Sequence, residues 1–350
     1  MKGEMTERAA VRESRFELLR IVAMFLVLAV HADFLSLGGP KAADFGADAL
    51  SAWTRAFVQF ASIVCVDVFV LISGWFGIRA SLAGGVKYVF QCVFLLTLAY
   101  LCMVAAGRCE LSLWGVWECL LLAGANWFVK AYLALYILSP VLNAFLRGAT
   151  MRQTGWFLVA FYGFQTVYGW TGASTFVCDG YSTFSFIGLY VLGHYLRCRE
   201  RERVGGAVWQ GWAVYIACAV LNSLFYYVSV VWPYGRKFFG LFPLCSYVNP
   251  LIVAGSAGLL LAFARQGDWR SGFVNWVGRS CFAVYLLHTM SQIFEQLFLP
   301  GVRDLWSRYD GVAALLAIGV MLVGVFVVSV LVDQVRIFAW NRLKLILFRR

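Results

Sequence analysis

ESRFELLRIVAMFLVLAVHADF, residues 13–34, decides how the rest of the chain is read. The run is long and apolar enough to cross a bilayer, where ionisable groups are costly unless they are paired or line a polar path. It carries Glu17 and Arg20 near one end and His31 near the other. At about 100° per residue, a helix returns to within roughly 20° of its starting face after eleven residues. Glu17, Arg20, Met24, Val27 and His31 therefore share one stripe, with Arg20 and His31 about 16 Å apart along the axis. A cation at the water boundary and an imidazole deep in an apolar helix are the pattern to be explained.

Working outward, the composition agrees with a membrane reading. Of 350 residues, 62% are hydrophobic and 13% charged, about half the charge of an average soluble domain. Other long apolar stretches follow the first, at about 56–76, 88–106, 127–146, 155–170, 184–196, 207–231, 246–264, 280–299 and 312–332. The predicted fold is an all-α polytopic membrane protein of about ten transmembrane helices in a single domain spanning 1–350. Its parts are a cytoplasmic tail over 1–17, a helical bundle over 18–332 and a basic amphipathic tail over 333–350 lying on the membrane surface. The stretch 111–124 is too short to span and reads as interfacial or re-entrant.

The net charge of +11 would suggest nucleic acid in a soluble protein. Here the positive-inside rule accounts for it: with both termini cytoplasmic, the inner face collects about 21 of the 29 Lys and Arg residues. No nucleic-acid partner is expected. The first 20 residues carry Lys2, Arg8, Arg12, Arg15 and Arg20 without a convincing cleavage site, so the first apolar run is read as an uncleaved span. The ten cysteines show neither a CxxC pair nor metal-ligand spacing and read as small hydrophobes; no metal site is expected.

The other ionisable or polar residues inside spans are the remaining candidates for chemistry. Asp67, in VCVDVFVLISGW, reads either as a tunnel residue or as a structural partner of a neighbouring helix, and Ser73 and Gly74 as tunnel residues or as close-packing positions. Lys130, one turn past Trp127, either faces an acceptor or snorkels to the headgroups. His288, Gln292 and Glu295 recur at helical spacing and form either a second cavity wall or an interhelical hydrogen-bond set. An imidazole is a natural general base, or transient acyl carrier, for passing an activated acyl group to a hydroxyl. Arginines at the cytoplasmic mouth suit a phosphate-bearing donor. Together these features fit a phosphate-rich thioester reaching into the membrane. A proton-coupled transporter or exporter of a small anion or glycan intermediate would use the same residue types, though no internal repeat supports one.

The motifs also resemble a known group. RFELLRIVAMFLVLAVH resembles the opening signature of the membrane acyltransferase 3 family, and VDVFVLISGWF its second signature. NWFVKAYLALYILSPVLN is similar to its Trp-containing span ending in Tyr and Pro, here Trp127, Tyr136 and Pro140, while FSFIGLYVLGHYLR and VGRSCFAVYLLHT are similar to later family segments. The resemblance covers about residues 13–332. It implies an O-acyltransferase, commonly an O-acetyltransferase, of a bacterial inner membrane. Acetyl-CoA or another acyl-CoA would be the donor substrate, with no bound cofactor, and a hydroxyl of a cell-surface or lipid-linked carbohydrate the acceptor. The expected form stands alone, without a fused hydrolase domain; its partners are acyl-CoA, the glycan and membrane lipid, and a homo-oligomer is left open. The resemblance implies His31 as the catalytic histidine with Glu17 beside it, and Arg15, Arg20 and Arg79 at the donor. Asp67, Ser73, Trp127, Lys130, Tyr136 and His288 are expected along the tunnel or acceptor site. After the second signature only Arg79 and Lys87 stand where many members carry a dense basic motif.

Overall fold

The computed structural model describes residues 12–123, 126–171, 176–202 and 206–347. The part of the expected tail that precedes residue 12 lies outside the described residues. Among those described, every regular element is helical. Six helical stretches are long and apolar enough to cross a membrane: Ser14–Leu35, Ala49–Phe76, Leu82–Ala105, Trp127–Gly148, Val208–Val231 and Gly311–Lys344. The remaining expected spans differ for local reasons. The 155–170 span is an α-helix Met151–Phe164 that widens into a π-turn at Gln165–Trp170. The 184–196 span belongs to the helix Thr183–Glu202, whose end is RCRERE. The 246–264 span is a 15-residue helix, Pro250–Ala264. The 280–299 span is broken after His288, so the expected stripe of His288, Gln292 and Glu295 does not run along one helix.

The elements that position the site are α1 (Ser14–Val30), α2 (Ala49–Ser62), α3 (Cys65–Phe76), α4 (Leu82–Ala105), α5 (Leu113–Cys119) and α6 (Trp127–Gly148). They continue with α7 (Met151–Phe164), α8 (Thr183–Glu202), α9 (Val208–Val231), α10 (Pro250–Ala264), α11 (Gly272–Gly278), α12 (Cys281–His288), α13 (Leu299–Arg308) and α14 (Gly311–Leu347). Their starts are written in the sequence as caps. Asp48, Ser81, Ser112, Thr150, Asn249 and Ser271 each accept a backbone N–H from the first turn of α2, α4, α5, α7, α10 and α11, satisfying donors that the helix cannot satisfy itself. Residues 333–347 continue α14 without a break, and Asp333 and Arg336 within it form a buried 2.7 Å ion pair. Within the expected stretch 111–124, the described residues 111–123 hold the short helix α5, packed on α4.

Helix α1 sits at the centre, against α2, α3, α10, α11, α12 and α14. Its Phe16, Leu19, Ala23 and Leu28 side chains are fully buried in the main apolar cluster. Arg15 anchors its start: the guanidinium donates to the carbonyls of Ala264 (2.9 Å) and Gln266 (2.7 Å) at the end of α10. Those are the carbonyls a helix terminus leaves without partners. Close by, Arg265 holds Glu200 at the end of α8 at 2.6 Å; that hydrogen bond raises the Arg265 pKa against the opposing effect of burial. Arg197, also near the end of α8, donates to the Trp75 carbonyl at 2.9 Å. Helices α8 and α10 therefore both end beside the start of α1, and their own starts lie about 30 Å and about 20 Å away, respectively, toward the other end of the bundle.

Helices α3 and α8 cross at glycine. A Cβ on Gly74 would land on the Tyr190 backbone carbonyl, and one on Gly193 on the Leu71 carbonyl. Small residues let backbones approach where bulk would hold them apart. Pro140 interrupts the bonding of α6, and the Tyr136 carbonyl it leaves without an N–H accepts from Ser139 Oγ at 2.8 Å instead.

Candidate active site

The stripe read from the sequence forms one wall of a cavity of about 760 Å³, lined by Glu17, Arg20, Met24, Val27 and His31 together. Its character changes along α1. At the start of the helix Glu17 is buried between two arginines, 2.6 Å from Arg20 and 3.2 Å from Arg12. Arg279, just after α11, lines the same mouth and has no carboxylate partner among the described residues. Arg20 also lies over the Phe76 ring, 5.9 Å from its centre. A lone carboxylate in the first turn suits the helix dipole. Here it also fixes two guanidinium groups at the edge of an otherwise apolar channel.

The middle of the cavity is apolar, walled by Met24, Val27, Phe69 and Phe282. Ser73 faces it with its hydroxyl 3.0 Å from the Tyr132 hydroxyl.

His31 begins a π-helical turn, His31–Leu35, at the end of α1. Wide turns of this kind are unfavourable in isolation and collect at functional positions. Side chains hold this one. Ser36 Oγ donates to the His31 carbonyl at 2.7 Å, and Asp33 accepts from Arg55 at 2.7 Å. Arg55 also donates to the Gly38 carbonyl at 2.5 Å and lies over Trp306. Arg55 is itself buried within α2.

The His31 ring meets His288, with 2.9 Å between His31 Nδ1 and His288 Nε2. His288 is buried, and its Nδ1 lies 2.5 Å from the Val284 carbonyl one turn earlier in α12. These contacts determine the tautomers. A carbonyl oxygen only accepts, so His288 Nδ1 carries a proton. A neutral His288 then offers a lone pair at Nε2, and His31 donates to it from Nδ1–H. The lone pair of a neutral His31 is left on Nε2, in a ring that lines the cavity.

The opposite end of the cavity is aromatic. Trp127, Tyr181 and Tyr247 stand at or just before the starts of α6, α8 and α10. Trp127 lies 4.4 Å from Tyr181 and 6.0 Å from Tyr247 between ring centres. Asn126 joins them in a left-handed backbone conformation at φ 61°.

Of the residues expected at the site, Glu17, Arg20, His31, Ser73 and Trp127 line the cavity, and His288 stands directly behind His31. The others lie elsewhere. Arg15 is engaged by the end of α10, and Arg79 is exposed outside the cavity lining. Asp67 is fully buried away from the lining, Lys130 donates to the Ala123 carbonyl, and the Tyr136 hydroxyl bonds the backbone of Ser81. Arg12, Arg279, Tyr132, Asn126, Tyr181 and Tyr247 line the site without having been singled out for it. Nothing in their local sequence marks them, because packing between distant helices brings them together. Among the described residues no group of three or more His, Cys, Asp or Glu side chains is arranged to hold a metal ion.

A family model described as an acyltransferase domain matches residues 13–333, nearly the whole chain. The chain belongs to the acyltransferase 3 family. No curated protein and no solved structure matches it. Family membership and the apolar helices make it a multi-pass membrane acyltransferase.

Proposed function

We propose that this acyltransferase moves an acyl group, most simply acetyl, from acyl-CoA to a carbohydrate hydroxyl, with His31 as the general base. The observation that carries the reading is the hydrogen-bonded chain from the Val284 carbonyl through His288 to His31, which leaves His31 Nε2 unprotonated in the cavity wall. Nε2 takes the acceptor O–H proton as the oxygen attacks the thioester carbonyl. The C–S bond then breaks, and the same proton passes from Nε2 to the departing thiolate sulfur. His288 acts through His31 by fixing its tautomer and sharing the positive charge as it develops.

The donor phosphates are assigned to Arg12, Arg20 and Arg279, with Glu17 positioning the first two. The roughly 16 Å from Arg20 to His31 along α1 is comparable to the reach of an extended pantetheine arm, and the apolar stretch between them would exclude water from the thioester. In this reading the arginine mouth is cytoplasmic, the chain makes about ten crossings of a bacterial inner membrane with both termini inside, and the acceptor is a cell-surface or lipid-linked glycan. The charge asymmetry of the chain supports that orientation. Labelling of single cysteines placed at the two termini of right-side-out vesicles tests it, and labelling from outside would reverse it.

The chemistry is tested in proteoliposomes supplied with acetyl-CoA and neutral methyl glycosides. The wild-type protein releases free CoA and forms an acetyl ester, and His31→Ala lowers both to background while remaining inserted in the membrane. Solute uptake without CoA release would instead mark a transporter and overturn the reading.

A further inference from the structure

We infer that Asn126, Trp127, Tyr181 and Tyr247 form a subsite for one neutral pyranose ring, the sugar that presents its hydroxyl to His31. This deepens the acyltransferase reading and rests on it for the role of the bound sugar. The first observation is Asn126. It is 7% exposed and lines the cavity, yet neither its amide oxygen nor its amide nitrogen has a hydrogen-bond partner among the described residues. A buried amide without partners is costly; the left-handed backbone at φ 61° is one that Asn adopts readily. An unmet donor and acceptor on one buried, cavity-lining side chain point to a ligand that supplies the missing bonds. A sugar hydroxyl, at once donor and acceptor, matches both halves of the amide.

The second observation is independent. Three rings from three separate helix starts meet in the wall of the same cavity as that amide, with Tyr181 and Tyr247 5.1 Å apart and edge-on, and Trp127 4.4 Å from Tyr181. Such a set presents ring faces and edges to a flat, partly apolar body; the C–H face of a pyranose is one, and its rim of hydroxyls would meet Asn126. Tyr181 is 45% exposed in side-by-side contrast to Tyr247 at 6%, so the cage reaches the surface at Tyr181 and is closed at Tyr247. The charged residues lining the cavity are Arg12, Glu13, Glu17, Arg20 and Arg279, all at or near the start of α1. Among the described residues, therefore, none that lines the cage is a cation able to pair with an acidic sugar, and Lys130, one turn along α6, is engaged by the Ala123 carbonyl. Asp179, whose carbonyl accepts the Tyr247 N–H at 3.0 Å, adds a nearby negative charge that disfavours one further.

The test is saturation-transfer NMR on the full chain in lipid nanodiscs, with methyl β-glucopyranoside, methyl β-glucopyranosiduronate and sorbitol as probes. The neutral pyranoside receives saturation at its ring C–H protons, at least tenfold more effectively than the uronate or the acyclic polyol. Asn126→Gly keeps the left-handed backbone accessible and weakens pyranoside binding about five- to tenfold, the loss of one or two hydrogen bonds. Trp127→Leu abolishes the transfer. Equal binding of the uronate or sorbitol, or pyranoside binding indifferent to Asn126→Gly, overturns the subsite. CoA release in the same preparation is read separately. Its absence with sugar binding intact defeats the acyltransferase mechanism and leaves the subsite standing, whereas CoA release without sugar contacts defeats the subsite alone.

Discussion

His31 and His288 are separated by 257 residues in sequence and by a single 2.9 Å hydrogen bond in the fold. If His288 acts only by setting the tautomer and charge of His31, its loss should slow the chemical step without weakening donor binding. His288→Ala is expected to lower kcat about 10- to 100-fold with the KM for acetyl-CoA nearly unchanged. Combining it with His31→Ala should cost no more than His31→Ala alone, since the two act as one unit. Steady-state kinetics on the single and double variants check this, and a large rise in KM would instead assign His288 to packing of the cavity. The Glu17–Arg20–His31 stripe was legible in the sequence because helical periodicity is local. The pairing of His31 with His288 was not, because the sequence shows two polar helix positions and says nothing of which helices meet. Arg279 and Asn126 were hidden for the same reason: a single arginine before an apolar run, or an Asn before a Trp, carries no periodic signal.

At the scale of the elements, the apolar runs and their caps were readable, whereas their interruptions were not. The break between α2 and α3 at Ile63–Val64 and the one after His288 fall in sequences without proline or a glycine pair. They are set by tertiary packing rather than by local propensity. The α3–α8 crossing is the contact most dependent on single residues. Gly74 meets the Tyr190 carbonyl, and backbone cannot turn aside as a side chain can. Gly74→Ala is expected to destabilise by about 1–3 kcal/mol and, by pushing α3 outward, to disturb neighbouring Ser73 in the cavity wall. Gly319 in α14 has open space around its Cβ position. Gly319→Ala should be neutral or stabilising by up to about 1 kcal/mol. Thermal unfolding followed by fluorescence-detected size exclusion compares the two; equal melting temperatures would mean that the crossing tolerates a methyl group.

Across the whole molecule, the helices build a cavity with two chemically different ends. Guanidinium groups gather where α8 and α10 finish beside the start of α1, and aromatic rings gather where α6, α8 and α10 begin. The all-helical membrane class followed directly from composition; the division of the cavity required the antiparallel arrangement of helices far apart in sequence. That division gives the donor reading a test that activity alone does not. If Arg279 binds a phosphate of CoA, its contribution should vanish when the donor has no phosphates, although the acyl group and its attack at His31 are unchanged. Arg279→Ala is therefore expected to raise the KM for acetyl-CoA about tenfold or more, in keeping with a charge-assisted hydrogen bond of about 1.5–3 kcal/mol. The kcat/KM for S-acetylpantetheine, which lacks the phosphates, should change less than twofold. His31→Ala should abolish turnover of both donors, since it acts at the thioester they share. Equal loss with both donors in Arg279→Ala would show that the arginine supports the shape of the mouth rather than gripping the phosphates.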